Sequence, residues 1–363
     1  MPEMRILLLF NTVSFEEKAQ DFTLGECASD ATVGAVYDAL ALTGSEVIPL
    51  NLFSPEQLEE TVSAHHFDAA FVIAEGFLEL PHTLYDGSGA MLIREILNKR
   101  GIPSTHSSPE AMSLCRNKDS TYHMLSAFDV NVPSFAVIRD TDPKSLAQKV
   151  AELEETVPYP LFVKPVGGGS SICIDRHSVV NDRKELTERI RMVQAVLGSQ
   201  PVLVETYLPG REYTIGVLGN GEKFVLPVIA FAPDAGVRSA VDKGAFSHVN
   251  TPVEFIPDND PLALSLMSIA EKTFDILGVR DIIRIDVKED AQGVCHVIDV
   301  NGTPSLAPTA SIIKMAAVMG IGYQEVVALI LYAALTREKM ELPPRLAEIV
   351  AEPLAKLRAI RTG

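Results

Sequence analysis

Positive charge is in short supply in this sequence of 363 residues: 31 lysines and arginines stand against 48 aspartates and glutamates, a formal net charge of −17. Nucleic acid and anionic membrane surfaces both require a basic footprint, so neither is an expected partner. A small anionic ligand stays open wherever lysines are gathered locally. Cysteine is sparse too. Cys27, Cys115, Cys173 and Cys295 are scattered, form no CxxC, and read as small buried hydrophobes in a reducing compartment. The HExxH, GxSxG and GxxxxGK(S/T) patterns are missing, which sets aside zincins, nucleophile-elbow hydrolases and Walker P-loops. The eight histidines show no metal-ligand spacing, and His65-His66 reads as surface. No apolar run near either end approaches the roughly 20 residues of a membrane span. Val326 to Leu335 falls short of it, and Ile6 to Phe10 is too brief for a signal h-region. A cytoplasmic protein with no membrane partner is the expectation.

What is present is a globular composition, 47% hydrophobic and 22% charged, with length enough for two or three domains. The first 130 or so residues alternate strand and helix signals. Strands are expected at 4–10, 46–52 and 68–74, and helices at 31–43, after the Ser54-Pro55 cap, at 88–99, and from Ser108 towards Phe128. This pattern predicts a parallel sheet covered by helices on both faces. After Pro133 come short strands at 134–139 and 160–164, a helix at 182–197, a strand pair at 202–206 and 212–218, and a helix at 259–277. A helix from about 309 to 337 and a proline-containing tail close the chain.

Three stretches could carry chemistry. In "RIDVKEDAQGVCHVIDVNG", residues 284–302, two alternating strands flank Gln292-Gly293, as in a hairpin. A turn centred there sets Asp286 opposite Asp299 and Arg284 opposite Asn301, with Ile283, Ile285 and Val287 facing Ile298 and Val300 behind. Opposed like charges destabilise a strand pair. Two carboxylates and an amide also make an oxygen site that suits Mg2+ shared with nucleotide phosphates. In "LFVKPVGGGSSI", residues 161–172, a strand delivers Lys164 and a Gly/Ser loop follows, a physically sensible phosphate cradle. In "VLVETYLPGREYTIGVL", residues 202–218, Glu205 ends one strand and Glu212 begins the next. That arrangement can hold an adenine by its backbone and a ribose by its acid, and alone it is an ordinary hairpin.

The order Lys118, Lys164 with its loop, Glu205 to Glu212, Arg284-x-Asp286 and Asp299-x-Asn301 resembles an ATP-grasp ligase. Within that superfamily it is similar to the D-alanine–D-alanine ligase family. The resemblance implies an α/β chain of ATP-grasp architecture. It would have an N-terminal doubly wound parallel-sheet domain (1–105) and two α+β subdomains, a central lid (106–210) and a C-terminal metal-bearing unit (211–363), with ATP between the last two. By motif position, Lys118 and Lys164 would contact the ATP phosphates, with Ser170 and Ser171 in the covering loop and Lys243 a third phosphate lysine. Glu205, Tyr207 and Leu208 would form the adenine hinge, and Glu212 would take the ribose. Asp286, Asp299 and Asn301 would bind Mg2+ or Mn2+. Arg284, aided by a backbone N–H near Ser305, would stabilise the tetrahedral intermediate. The implied reaction joins a small carboxylate to an amine, both expected to be amino acids, through an acyl phosphate. The family resemblance further suggests a homodimer. The genuine D-alanine–D-alanine ligase of cell-wall synthesis is the alternative, and a non-catalytic ATP-binding protein would leave Arg284 idle. Where such a ligase shows a His-Gly motif near its first amino acid, this chain has "IAEGFLEL".

Overall fold

The computed structural model describes residues 4–139, 141–169, 171–198, 200–231 and 253–362. Among them, the strands form three sheets. In the first, β1 (Arg5–Phe10), β2 (Glu46–Asn51) and β3 (Ala69–Val72) run parallel in the order β2-β1-β3. Side chains alternate across a strand. Ile6 and Leu8 therefore enter one core with Phe71 and Val36 of helix Asp30–Ala41, while Leu7 and Leu9 enter another with Val72 and with Ile93 and Leu97 of helix Ser88–Lys99. Burial on both faces is why β1 reads as an unbroken apolar run. Each fully buried Leu or Ile contributes about 1.5–3 kcal/mol.

The second sheet is antiparallel, β4 (Phe135–Ile138), β5 (Leu161–Pro165), β6 (Val179–Val180) and β7 (Val202–Thr206), in the order β4-β7-β5-β6. Helices Pro143–Glu154 and Arg183–Val196 bury Leu146, Val150, Leu186 and Ile190 in its core. Aspartates start both helices: Asp142 accepts from the N–H groups of Lys144 and Ser145, and Asp182 from that of Glu185. The third sheet holds β8 (Glu212–Gly219), β9 (Lys223–Val225), β10 (Ile229–Phe231), β11 (Val253–Phe255), β12 (Asp281–Glu289) and β13 (Cys295–Asn301). Its order is β11-β10-β8-β12-β13, with β9 paired to β8. One face packs on helix Pro261–Ile276, and Leu218 and Ile282 join the C-terminal helices in the core that also holds Ile6 and Leu8.

Several sequence expectations need correction. Residues 202–206 and 212–218 do not pair: β7 bonds to β4 and β5, and β8 to β12, β10 and β9. The Pro209-Gly210 segment is a crossing between sheets, tied at one end by Tyr207 N–H to Pro160 O and at the other by Gly210 N–H to Glu289 O. The expected helix from Ser108 is two, Pro109–Arg116 and Lys118–Ser126, interrupted at Asn117. The helix expected at 309–337 is also two, Ser311–Val318 and Tyr323–Arg337, bent by 103° at a break containing Gly320 at φ +70°. The tail is helical, Pro344–Thr362, with Pro353 inside it. Among the described residues no single helix is long and apolar enough to cross a membrane, and the bent pair lies in the core through Val327, Leu329 and Ile330. The four cysteines are free thiols, Cys27 and Cys115 buried and the other two half-buried.

Candidate active site

The hairpin β12–β13 sets Asp286 opposite Asp299 and Arg284 opposite Asn301, the register expected from the sequence. The route there differs. Near the turn, Glu289 pairs with Cys295 and Lys288 with His296, one residue out of that register, because the loop closes with Asp290 N–H on Val294 O around Gly293 at φ +78°. An irregularity between Asp286 and Val287 then leaves Ile298 as the extra residue of β13. The two displacements cancel at the acids. Val297, not Ile298, faces the buried side with Ile285 and Val287, and Ile298 turns its carbonyl to the second sheet.

Opposed acids need counter-charges, and each has its own. Arg284 lies two residues from Asp286, hence on the same face, and grips it through Nε (3.1 Å) and Nη2 (2.9 Å), while Thr214 Oγ1 also donates to it. Burial works against the Arg284 charge, but Asp286, with Asp299 and Glu26 adding to it, outweighs burial and holds the guanidinium above its ordinary pKa. Asp299 meets Lys118 Nζ at 3.3 Å. Lys118 also donates to Gly168 O at 2.7 Å in the glycine-rich loop, and burial draws its pKa down against the pull of Asp299. Asn301 lies beside them, its Nδ2 buried without a hydrogen-bond partner. No cluster of three His, Cys, Asp or Glu suited to a metal occurs among the described residues. The hairpin's donor set is two carboxylates and an amide.

Lys164, at the end of β5, reaches Glu205 Oε1 (2.8 Å), Tyr122 Oη (3.1 Å) and Ile298 O (3.1 Å). Tyr122 Oη lies within hydrogen-bond reach of Glu205 Oε2 (2.9 Å) and Ile298 O (2.8 Å), and burial with Glu205 beside it pushes its pKa well up. Glu205 thus holds both the lysine and the phenol. Tyr207 spends its N–H on Pro160 O, so that amide is no free donor for a base; Leu208 is buried, and Glu212 lies 3.8 Å from Lys288. Ser171 is buried at φ +57°. Ser305 is exposed and accepts from Ala307 N–H. Ser170 and Lys243, with the loop 235–250, lie outside the described residues.

A second charged group was not legible as a site. Arg116, at the end of helix Pro109–Arg116, lies 3.0 Å from Glu75 Oε2 and 3.8 Å from Glu26 Oε1, with all three side chains at least nine-tenths buried. A Cβ on Gly169 would sit 2.5 Å from Glu26 Oε1, so glycine lets the loop close on this acid. A Cβ on Gly302 would meet Met112 Sδ at 2.8 Å, which holds the same helix against the end of the hairpin. Glu26 also acts on Arg284 electrostatically and so faces the hairpin. Burial pushes the Glu75 carboxyl up to about 7 despite Arg116, with Glu26 adding to the rise. Glu75 is the first of the two acids of "IAEGFLEL", and that stretch is its one sequence signal. Glu26 and Arg116 carry none.

Residues 124–332 match the family model described as the D-ala D-ala ligase C-terminus. A D-alanine–D-alanine ligase of Syntrophotalea carbinolica is 30% identical over 311 residues, 84% of this chain and 90% of that protein. Among solved structures, the Bacillus anthracis D-alanine–D-alanine ligase complexed with ATP is similar at TM-score 0.66 and 21% identity, covering 93% of this chain and 99% of that one. The VanG D-Ala:D-Ser ligase of Enterococcus faecalis is similar at TM-score 0.69 and 18% identity, with 92% and 99% covered.

Proposed function

Because this chain belongs to the D-alanine–D-alanine ligase family, and is an ATP-dependent ligase of that family, we propose that it joins the carboxylate of one small amino acid to the amine of another through an acyl phosphate. The observation that carries this reading is the pair Asp286 and Asp299, opposed in one hairpin with Lys118 and Lys164 brought onto it from the other side. A first carboxylate oxygen attacks the γ-phosphorus, the bridging bond to the β-phosphate breaks, and ADP leaves. The amine nitrogen then attacks the acyl carbon, phosphate departs and the nitrogen loses a proton. Lys118 and Lys164 would exchange Asp299 and Glu205 for phosphate oxygens, replacing one anionic partner with another. Arg284 would face the oxyanion of the tetrahedral intermediate.

The oxygen donors of Asp286, Asp299 and Asn301 fit Mg2+ or Mn2+ and suit zinc poorly. When bound, such an ion supplies charge neutralisation between phosphates. On the other side, Glu26 is the acid placed to hold the ammonium group of the first amino acid, with Arg116 and Glu75 fixing it. Glu75 stands where the family shows its His-Gly motif, which favours a first substrate other than D-alanine.

A phosphate-release screen with ATP, Mg2+ and paired D- and L-amino acids tests the reading. Release with a particular acid and amine pair is expected, and silence across the panel overturns it. The second reading, a genuine D-alanine–D-alanine ligase, is favoured by the name of the 30% identical relative. D-alanyl-D-alanine formed at millimolar D-alanine would establish it in place of the first.

A further inference from the structure

Away from the hairpin, a cavity of about 260 Å³ opens between the segment following helix Ser88–Lys99, Arg280 just before β12, and Arg337 at the end of helix Tyr323–Arg337. None of the residues assigned above to ATP or metal lines it. We propose that it binds a small oxyanion of the phosphate class, held by Arg94, His106 and Arg280. Nothing in this inference depends on the ligase reading.

Arg94 carries the argument. Its side chain is 0% exposed, and only Nη1 is bonded, to Ala90 O at 2.8 Å; Nε and Nη2 have no hydrogen-bond partner. Leaving a buried donor unmatched is costly, and more so for a charged group. His106, 1% exposed and also lining the cavity, leaves Nε2 unpartnered while Nδ1 lies 3.0 Å from Thr105 Oγ1. Burial pushes its pKa down to about 3, so the ring is neutral near pH 7 and Nε2 can donate to an oxyanion or accept from its hydroxyl. His106 is held with φ at +69°, its N–H donating to Asp281 Oδ2 at 2.8 Å, a strained backbone fixed from the third sheet.

Nearby acids are largely spoken for. Arg337 takes both oxygens of Asp281, at 3.1 and 3.0 Å, and pairs with Glu338. Glu75 acts on Arg94 electrostatically, as Glu110 does on the exposed Arg280. Neither comes within ion-pair distance of those arginines among the described contacts. The adjoining helix start adds little, since Ser108 Oγ already caps Ala111 N–H. The volume lies below the roughly 300–1,000 Å³ of drug-sized sites, which suits orthophosphate or a short phosphomonoester.

Calorimetry tests the site. The full chain, saturated with Mg2+ and a non-hydrolysable ATP analogue, is titrated with inorganic phosphate at constant ionic strength. Phosphate binding should persist, and Arg280→Gln, a change at an exposed side chain that leaves the core intact, should weaken it at least fivefold with analogue affinity unchanged. Arg94→Lys, which keeps the charge but loses the fork, should weaken it further. Loss of phosphate binding on saturation with the analogue, no heat in the wild type, or wild-type affinity in Arg280→Gln would each overturn the proposal.

Discussion

Lys164 and Lys118 are buried cations with one acid and one carbonyl oxygen apiece: Glu205 and Ile298 O for the first, Asp299 and Gly168 O for the second. Arg116 is as deeply buried but sits between two acids, Glu26 and Glu75, with Arg94 behind Glu75 only partly bonded. On the lysine side each charge is matched by a contact that another anion can replace at little change in solvation. On the arginine side burial dominates, and Glu75 is driven toward its neutral form. Under the proposed function, the first cluster would exchange one anion for another and the second would discriminate between protonation or charge states.

The largest effects belong to the first cluster. Asp286→Asn and Lys164→Ala should each lower kcat by roughly 100-fold or more, the scale of losing a main electrostatic stabiliser, with circular dichroism unchanged. Wild-type turnover in either would move the reaction elsewhere. Glu75→Gln should raise KM for the amino acid by about tenfold, an order typical of one weakened hydrogen-bonded contact to a charged group, here Arg116, and leave KM for ATP alone. An equal rise in both constants would erase the distinction between the clusters.

The same variant has a pH signature. Glu75 titrates at about 7 in the fold, above the ordinary 4.5, so the folded state keeps a proton that the unfolded chain releases. That stabilisation is fully present below pH 4.5 and is lost as pH rises through 7. Between pH 5 and 8 the stability of Glu75→Gln should therefore rise relative to wild type by an amount on the order of 2 kcal/mol, read as a relative climb in its Tm. A pH-independent gap would place Glu75 in a polar setting.

Smaller effects follow at the edges. Glu212→Ala should raise KM for ATP about fivefold while kcat falls less than twofold, as expected when a contact made equally in ground and transition states is lost; the reverse pattern contradicts a ribose role. Tyr122→Phe should cost about 1 kcal/mol of stability, one net hydrogen bond, read by denaturant titration.

Most of the lysine cluster was readable in the sequence because its members sit in short stretches with their own local grammar, a strand ending at Lys164 before glycines and alternating acids on both arms of a hairpin; Lys118 came only from the family resemblance. Even there the register came out right through two opposite displacements, the loop around Gly293 and the extra residue Ile298, and alternation alone reveals neither. The parallel first sheet was likewise legible from apolar strands alternating with capped helices. The strand pair expected from Glu205 and Glu212 failed because Pro209-Gly210 looks like a tight turn, whereas its partners, Pro160 and Glu289, are distant in sequence. The arginine cluster was opaque for a related reason. Glu26, Glu75, Arg94 and Arg116 come from four separate segments, and their proximity exists only after helix Ser88–Lys99 has packed against helix Pro109–Arg116.

The extra residue at Ile298 has a mechanical corollary. Its backbone oxygen belongs to the hairpin, yet it is gripped by an ammonium from the second sheet and a phenol from helix Lys118–Ser126. Swinging the second sheet away from the hairpin would strip Lys164 of that oxygen in the same movement. Admission of the nucleotide and liberation of the charge that greets it would then be a single event, with a single barrier.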